Sequence, residues 1–179
     1  MNKKHWSTNS LVRGAMCVAI SFVLSMIPLF RMPQGGSITP ASMLPMVLFC
    51  LSFGPWRGMA AGCAYGLLQL LLDPYVIHPV QLLMDYPLAY AVMALACLAN
   101  LLPKKLSRLR LPVAVLLAFI GRCIMAVLSG VIFFADYDAG QNVWAYSIVY
   151  NAAYLAPDCL VCMLISLVPG LEKLMKQRT

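Results

Sequence analysis

The sequence predicts an all-α, polytopic membrane protein: one domain over residues 1–179, built as a bundle of six transmembrane helices. Three observations carry this. Apolar residues make up 62% of the chain and charged residues only 11%, whereas soluble domains run near half and a quarter. Mean hydropathy is +0.83, so a bilayer rather than water surrounds much of the surface. The basic residues gather in short hydrophilic gaps between apolar runs, which is the pattern of membrane topology. That placement, more than the net charge of +7, decides against a nucleic-acid partner.

The elements follow in order. The start, "MNKKHWSTNSLVRGAMCVAISFVLSMIPLF", has the charged beginning of a signal peptide. Its apolar part is too long, and no small-residue cleavage site follows, so 10–30 reads as a retained first helix. The second run, 41–53, lies between Pro40 and "GPWRG". It would span about 20 Å as a helix, a length shared by spanning and partial segments. The third, 57–72, is also short. Runs 80–101, 112–134 and 143–169 can each cross a bilayer. Pro112 suits the first turn of the fifth helix, where a missing N–H costs little. "PG" at 169–170 ends the sixth.

Six spans place both termini on one side. Of thirteen Lys and Arg, all but Arg31 and Arg122 then fall on that same face, which assigns it to the cytoplasm. The opposite face carries three loops with Asp73, Asp136 and Asp138. All seven cysteines lie in apolar runs, where cysteine acts as a small hydrophobe. Cys159 and Cys162 form a CxxC without the second ligand pair that zinc requires. No cofactor or metal is expected.

Ionisable and amide groups inside apolar spans are costly and point to function. Asp85 stands near the outer end of the fourth helix, in "YVIHPVQLLMDYPLAY". A carboxylate among aromatic rings suits an organic cation, but capping a helix N-terminus is an equal alternative. Arg122 lies deep in the fifth helix. Asp158, at a similar counted depth in the sixth, is its favoured structural partner; orienting Asp85 or touching a ligand's polar arm are the alternatives. In "WAYSIVYNAAY", Tyr146, Tyr150 and Tyr154 recur every four residues and form a stripe, with Asn151 beside it. Asn151 could read a heterocycle edge or bridge helices. His78 reads as a solvated or loop-bracing residue rather than a ligand. Ala15 and Ala19, four apart on the first helix, leave a smooth face that fits either bundle packing or docking of another membrane protein. No phosphate loop, metalloprotease motif or nucleophile elbow appears.

The stretches "QGGSITPASMLP", "YVIHPVQLLMDYPLAY", "SGVIFFADY" and "WAYSIVYNAAY", in that order and spacing, resemble the thiamine-specific substrate-binding (S) components of bacterial energy-coupling-factor vitamin transporters. The resemblance covers nearly the whole chain. It implies a non-enzymatic bundle that takes thiamine from outside, near the outer ends of helices 4 to 6. It also implies a transmembrane coupling protein of the EcfT type carrying two ATP-binding subunits, docked through Ala15 and Ala19. The family's acidic position falls on Asp85, with Tyr86 beside it and the loop tyrosine on Tyr75. Helix 6 positions fall on Tyr146 and Asn151, the basic position on Arg122 and the stacking ring on Phe134; Trp144 is a further ring. Two departures stand out: Ala126 replaces a histidine found in some members, and "QGGS" lacks a loop tryptophan. Other vitamins or precursors (a hydroxymethylpyrimidine, riboflavin) and a small membrane enzyme are the rival readings.

Overall fold

The computed structural model describes residues 6–33, 36–72, 74–134, 142–168 and 170–171. The expected outer acids Asp73, Asp136 and Asp138, the terminal Lys3, Lys4, Lys173, Lys176 and Arg178, and Pro169 lie outside the described residues. Six helices form as expected: α1 (Thr8–Ser25), α2 (Leu44–Phe53), α3 (Pro55–Leu72), α4 (Pro79–Leu101), α5 (Arg110–Phe133) and α6 (Val143–Ser166). Four are long and apolar enough to cross a membrane: α1, α4, α5 with its preceding turn, and α6.

α1 shows which solvent the fold is built for. Ser7 caps it by accepting from the Ser10 N–H. Its buried residues are Ser10, Gly14, Ser21 and Ser25, while Leu11, Val12, Met16, Ile20 and Val23 are exposed. A water-soluble helix buries its large apolar side chains. Here they face outward, and small residues face the bundle, as packing in lipid requires.

The second apolar run is a partial span. α2 has ten residues, about 15 Å of helix. The chain before it descends into the bundle without being helical. A short hairpin, β1 (Phe30–Arg31) paired antiparallel with β2 (Ser37–Ile38), lies between α1 and α2. Thr39 follows, and Ala41 adopts a left-handed φ of 62° while buried, a conformation that costs an alanine roughly 1–2 kcal/mol. Non-helical backbone at such depth is tolerated only where protein satisfies it. Asp158, buried on α6, does so: it accepts from the Thr39 N–H at 3.3 Å and the Thr39 hydroxyl at 3.1 Å.

α3 packs on α4 through Gly62 and Gly66, while Gly58 lies against Cys50 of α2; all three are buried. A methyl at Gly62 would strike the Tyr90 carbonyl, and one at Gly66 the Tyr86 carbonyl. This spacing of four lets two backbones touch. In α4 itself, Pro87 removes an N–H, and the turn Met84–Leu88 widens to π geometry. Asp85 and Tyr86 sit in that turn, and such turns frequently mark functional sites.

The two ends of the bundle differ. Arg57, in the first turn of α3, lies over the Trp6 ring near the N-terminus at 5.9 Å. These basic gaps therefore share one end. That half holds a dry core of Met46, Val47, Phe49, Met93, Leu111 and Val115. The hairpin, the α3–α4 loop and the adjoining ends of α5 and α6 meet around a cavity at the other end.

Candidate ligand-binding site

The cavity is lined from four directions. α4 contributes Gln81, Asp85, Tyr86 and Tyr90; α5 contributes Arg122, Ala126 and Gly130, with Phe134 just beyond its end. α6 contributes Tyr146, Ser147, Tyr150, Asn151 and Tyr154, and Gly36, Ser37, Gln69 and Tyr75 close it. Seven of the residues expected from sequence thus meet in one place: Asp85, Tyr86, Tyr75, Tyr146, Asn151, Phe134 and Arg122.

Trp144 does not join them. Its indole is 53% exposed and lies outside the cavity lining. Two residues along a helix is a rotation of about 200°, so with Tyr146 facing inward Trp144 must face away. Asn142 caps this end, accepting from the N–H groups of Trp144 and Ala145.

Asp85 receives one strong hydrogen bond, from Gln81 Nε2 to Oδ2 at 2.6 Å. That donor is a neutral amide. The capping alternative for Asp85 is excluded, because His78 holds the N-cap by accepting from the Val80 N–H at 3.1 Å. His78 is exposed and also stacks on Phe133 at 5.2 Å, which fits the bracing alternative.

Arg122 does not pair with Asp158. Its guanidinium donates to the Tyr90 hydroxyl at 2.8 Å and to Met43 Sδ at 2.9 Å, and lies 4.5 Å from the Tyr90 ring centre. Equal depth on two helices does not fix which way each side chain turns. Asp158 turned instead to Thr39.

The tyrosine stripe forms as spaced. Tyr146 and Tyr150 stack at 6.1 Å, and Tyr150 meets Tyr154 edge-on at 6.3 Å. Asn151 donates to the Ser147 carbonyl at 2.9 Å and to the Ala126 carbonyl of α5 at 3.4 Å, and it accepts from the Tyr154 hydroxyl at 2.9 Å. Its amide bridges two helices while lining the cavity. Across the cavity, Tyr75 stacks on Phe134 at 5.7 Å with the rings 24° apart. The Tyr75 N–H donates to the Tyr86 hydroxyl at 2.8 Å, so Tyr86 ties that loop to α4. Gly36, at φ 93°, lies against the Tyr154 ring where a side chain would collide.

The site can therefore offer aromatic faces, one carboxylate, one guanidinium and several hydroxyl and amide groups. Among the described residues no cluster could hold a metal. Gln81 and Gln69 line the cavity but were not singled out from the sequence. Gln81 carried a usable signal, since a Gln four residues before an Asp on one helix face can hydrogen-bond to it.

Similarity to known proteins agrees with this architecture. The family described as Thiamine transporter protein (Thia_YuaJ) matches residues 11–177. The chain belongs to that family. It is 34% identical over 167 residues to "Thiamine transporter ThiT" of Bacillus subtilis, covering 87% of this chain and 86% of that protein. A solved structure of ThiT from Listeria monocytogenes superposes with a TM-score of 0.68 at 24% identity, covering 94% of this chain and 93% of that one; it shares the fold. This is a transporter family, so the chain is a multi-pass membrane transport protein rather than an enzyme.

Proposed function

We propose that this protein is the thiamine-capturing S component of an energy-coupling-factor importer, with Asp85 as the principal anchor. Thiamine carries a fixed positive charge on its thiazolium ring, an aminopyrimidine that donates hydrogen bonds, and a hydroxyethyl arm. One observation carries the proposal: inside an aromatic-lined cavity, the Asp85 carboxylate is hydrogen-bonded by a neutral amide, and among the described residues no cation forms an ion pair with it. An organic cation can complete that charge. The Tyr75–Phe134 pair and Tyr146 offer flat faces to its rings, each attractive to a cation by roughly 0.5–2 kcal/mol when partly dry. Arg122 and Asn151, deeper in, suit the neutral polar groups of the ligand.

The cavity opens outward in this reading, and both termini and the basic gaps lie in the cytoplasm. Partner subunits supply the energy: a transmembrane coupling protein with two ATP-binding subunits. Ala15 and Ala19 support α1 as the docking face. Both are exposed, in register with exposed Leu11 and Val23, so a partner helix could approach closely. Replacing both alanines with leucine should leave thiamine binding intact and abolish uptake in cells; surviving uptake would remove α1 from the contact.

The direct test is mass spectrometry of the small molecule that co-purifies with the protein, followed by calorimetric titration. Thiamine is the expected ligand. Recovery of a different vitamin, with no heat on adding thiamine, overturns the proposal.

A further inference from the structure

We infer that Gln81 is a positioning residue that presents Asp85 to the ligand through a single oxygen and couples it to the Tyr75 loop. This inference rests on the thiamine-binding reading. Gln81 is 1% exposed, and backbone groups outside its own helix fix its amide. Its Oε1 accepts from the Ile77 N–H at 3.2 Å, and its Nε2 donates to the Tyr75 carbonyl at 3.0 Å. A backbone N–H can only donate and a carbonyl can only accept, so the amide cannot be flipped without losing both bonds. The remaining Nε2 proton must then point at Asp85 Oδ2, 2.6 Å away. Asp85 is thereby held as an acceptor at Oδ2, with its rotation about the carboxylate fixed.

The consequence is a defined ligand geometry. With Oδ2 already bonded to Gln81, and the Ser129 hydroxyl near the same carboxylate, Oδ1 carries no hydrogen bond among the described residues, which favours one donor or one positive centre over a bidentate fork. The same amide anchors the backbone of Tyr75, whose ring stacks on Phe134. Charge and ring platform are therefore set by one side chain.

The test compares thiamine affinity of the full-length protein in detergent at pH 8 for wild type, Gln81→Met and Gln81→Glu, with ligand-free melting as the check of folding. Methionine keeps the volume and makes none of the three bonds. Glutamate keeps the acceptor for Ile77 but sets an anion against Asp85. Gln81→Met should weaken binding about 10- to 100-fold, the usual loss for a hydrogen bond to a charged group, and Gln81→Glu should weaken it more. If glutamate binds better than methionine, Gln81 only braces the loop and the inference fails. Wild-type affinity in either variant also overturns it. Should Gln81→Met not fold, Gln81→Asn, which withdraws the same amide by one methylene, must lose at least about tenfold for the inference to stand. Absence of thiamine binding by wild type would instead sink the function proposed above.

Discussion

The same helices build two different interiors. Toward the basic end, α4 and α5 contribute Met93, Ala96, Ala99, Leu111, Ala114 and Val115, all 1% exposed or less, to one core cluster with Phe49 of α2. Toward the other end they contribute Gln81, Asp85, Tyr90 and Arg122 around a cavity. The change falls at Tyr90 and Arg122, whose mutual hydrogen bond forms a floor. One half is packed for stability and the other is left open with polar groups available. A membrane helix can do both, because lipid on its outer face makes no demand on which kind of interior it encloses.

This contrast predicts that damage in one half should not spread to the other. Truncating Phe49, which stacks on Phe53 at 4.9 Å, should cost about 3–5 kcal/mol of stability. In a detergent melt Phe49→Ala should unfold many degrees earlier yet keep its thiamine affinity. A matched loss of affinity would mean the halves are one unit. Asp85→Asn should do the converse. It removes the charge while keeping the shape, so affinity should fall about 100-fold, the scale for losing one partner of a buried charge pair, with the ligand-free melt little changed. Calorimetry on both proteins decides this, and wild-type affinity in the Asn variant would end the argument for Asp85.

Gly62 lies at the boundary, with the Tyr90 backbone directly against it. Gly62→Val forces α3 from α4 and should cost roughly 1–3 kcal/mol. Because Tyr90 holds Arg122, stability and affinity should drop together, and a melt without an affinity change would place the boundary elsewhere. The smallest expected effect is at Trp144. Its indole points away from the cavity, so Trp144→Phe should leave affinity within about twofold. A larger loss would place that ring in the binding path.

Much of the fold was legible in the chain. Apolar runs bounded by Pro, Gly and basic gaps located six helices, and the short second run correctly left its span open. The site was legible where polarity was conspicuous: Asp85, Arg122 and the tyrosine stripe are rare residues in their surroundings. Gln81 was less visible because an amide at the mouth of a helix looks like ordinary loop polarity. The glycines at 58, 62 and 66 were equally available as a packing signal: Gly62 and Gly66 mark the α3–α4 contact and Gly58 the contact with α2. The Arg122–Asp158 pairing failed for a different reason. Counting residues gives depth along an axis, but the partner depends on rotation and on what descends between the helices. The segment containing Thr39 occupies that space, and nothing local in "GGSITPAS" announces that it enters the bundle.

The sequence by itself determined the solvent, the number of helices and which rare polar side chains had to find company inside a bilayer. These follow from composition and period, since each residue's cost in hydrocarbon is its own. Only the tertiary structure decided who the company was for two of them: Thr39 for Asp158, and Tyr90 and Met43 for Arg122. Hydrogen bonds depend on direction and reach across elements far apart in the chain, and those are fixed only when the helices have turned and packed.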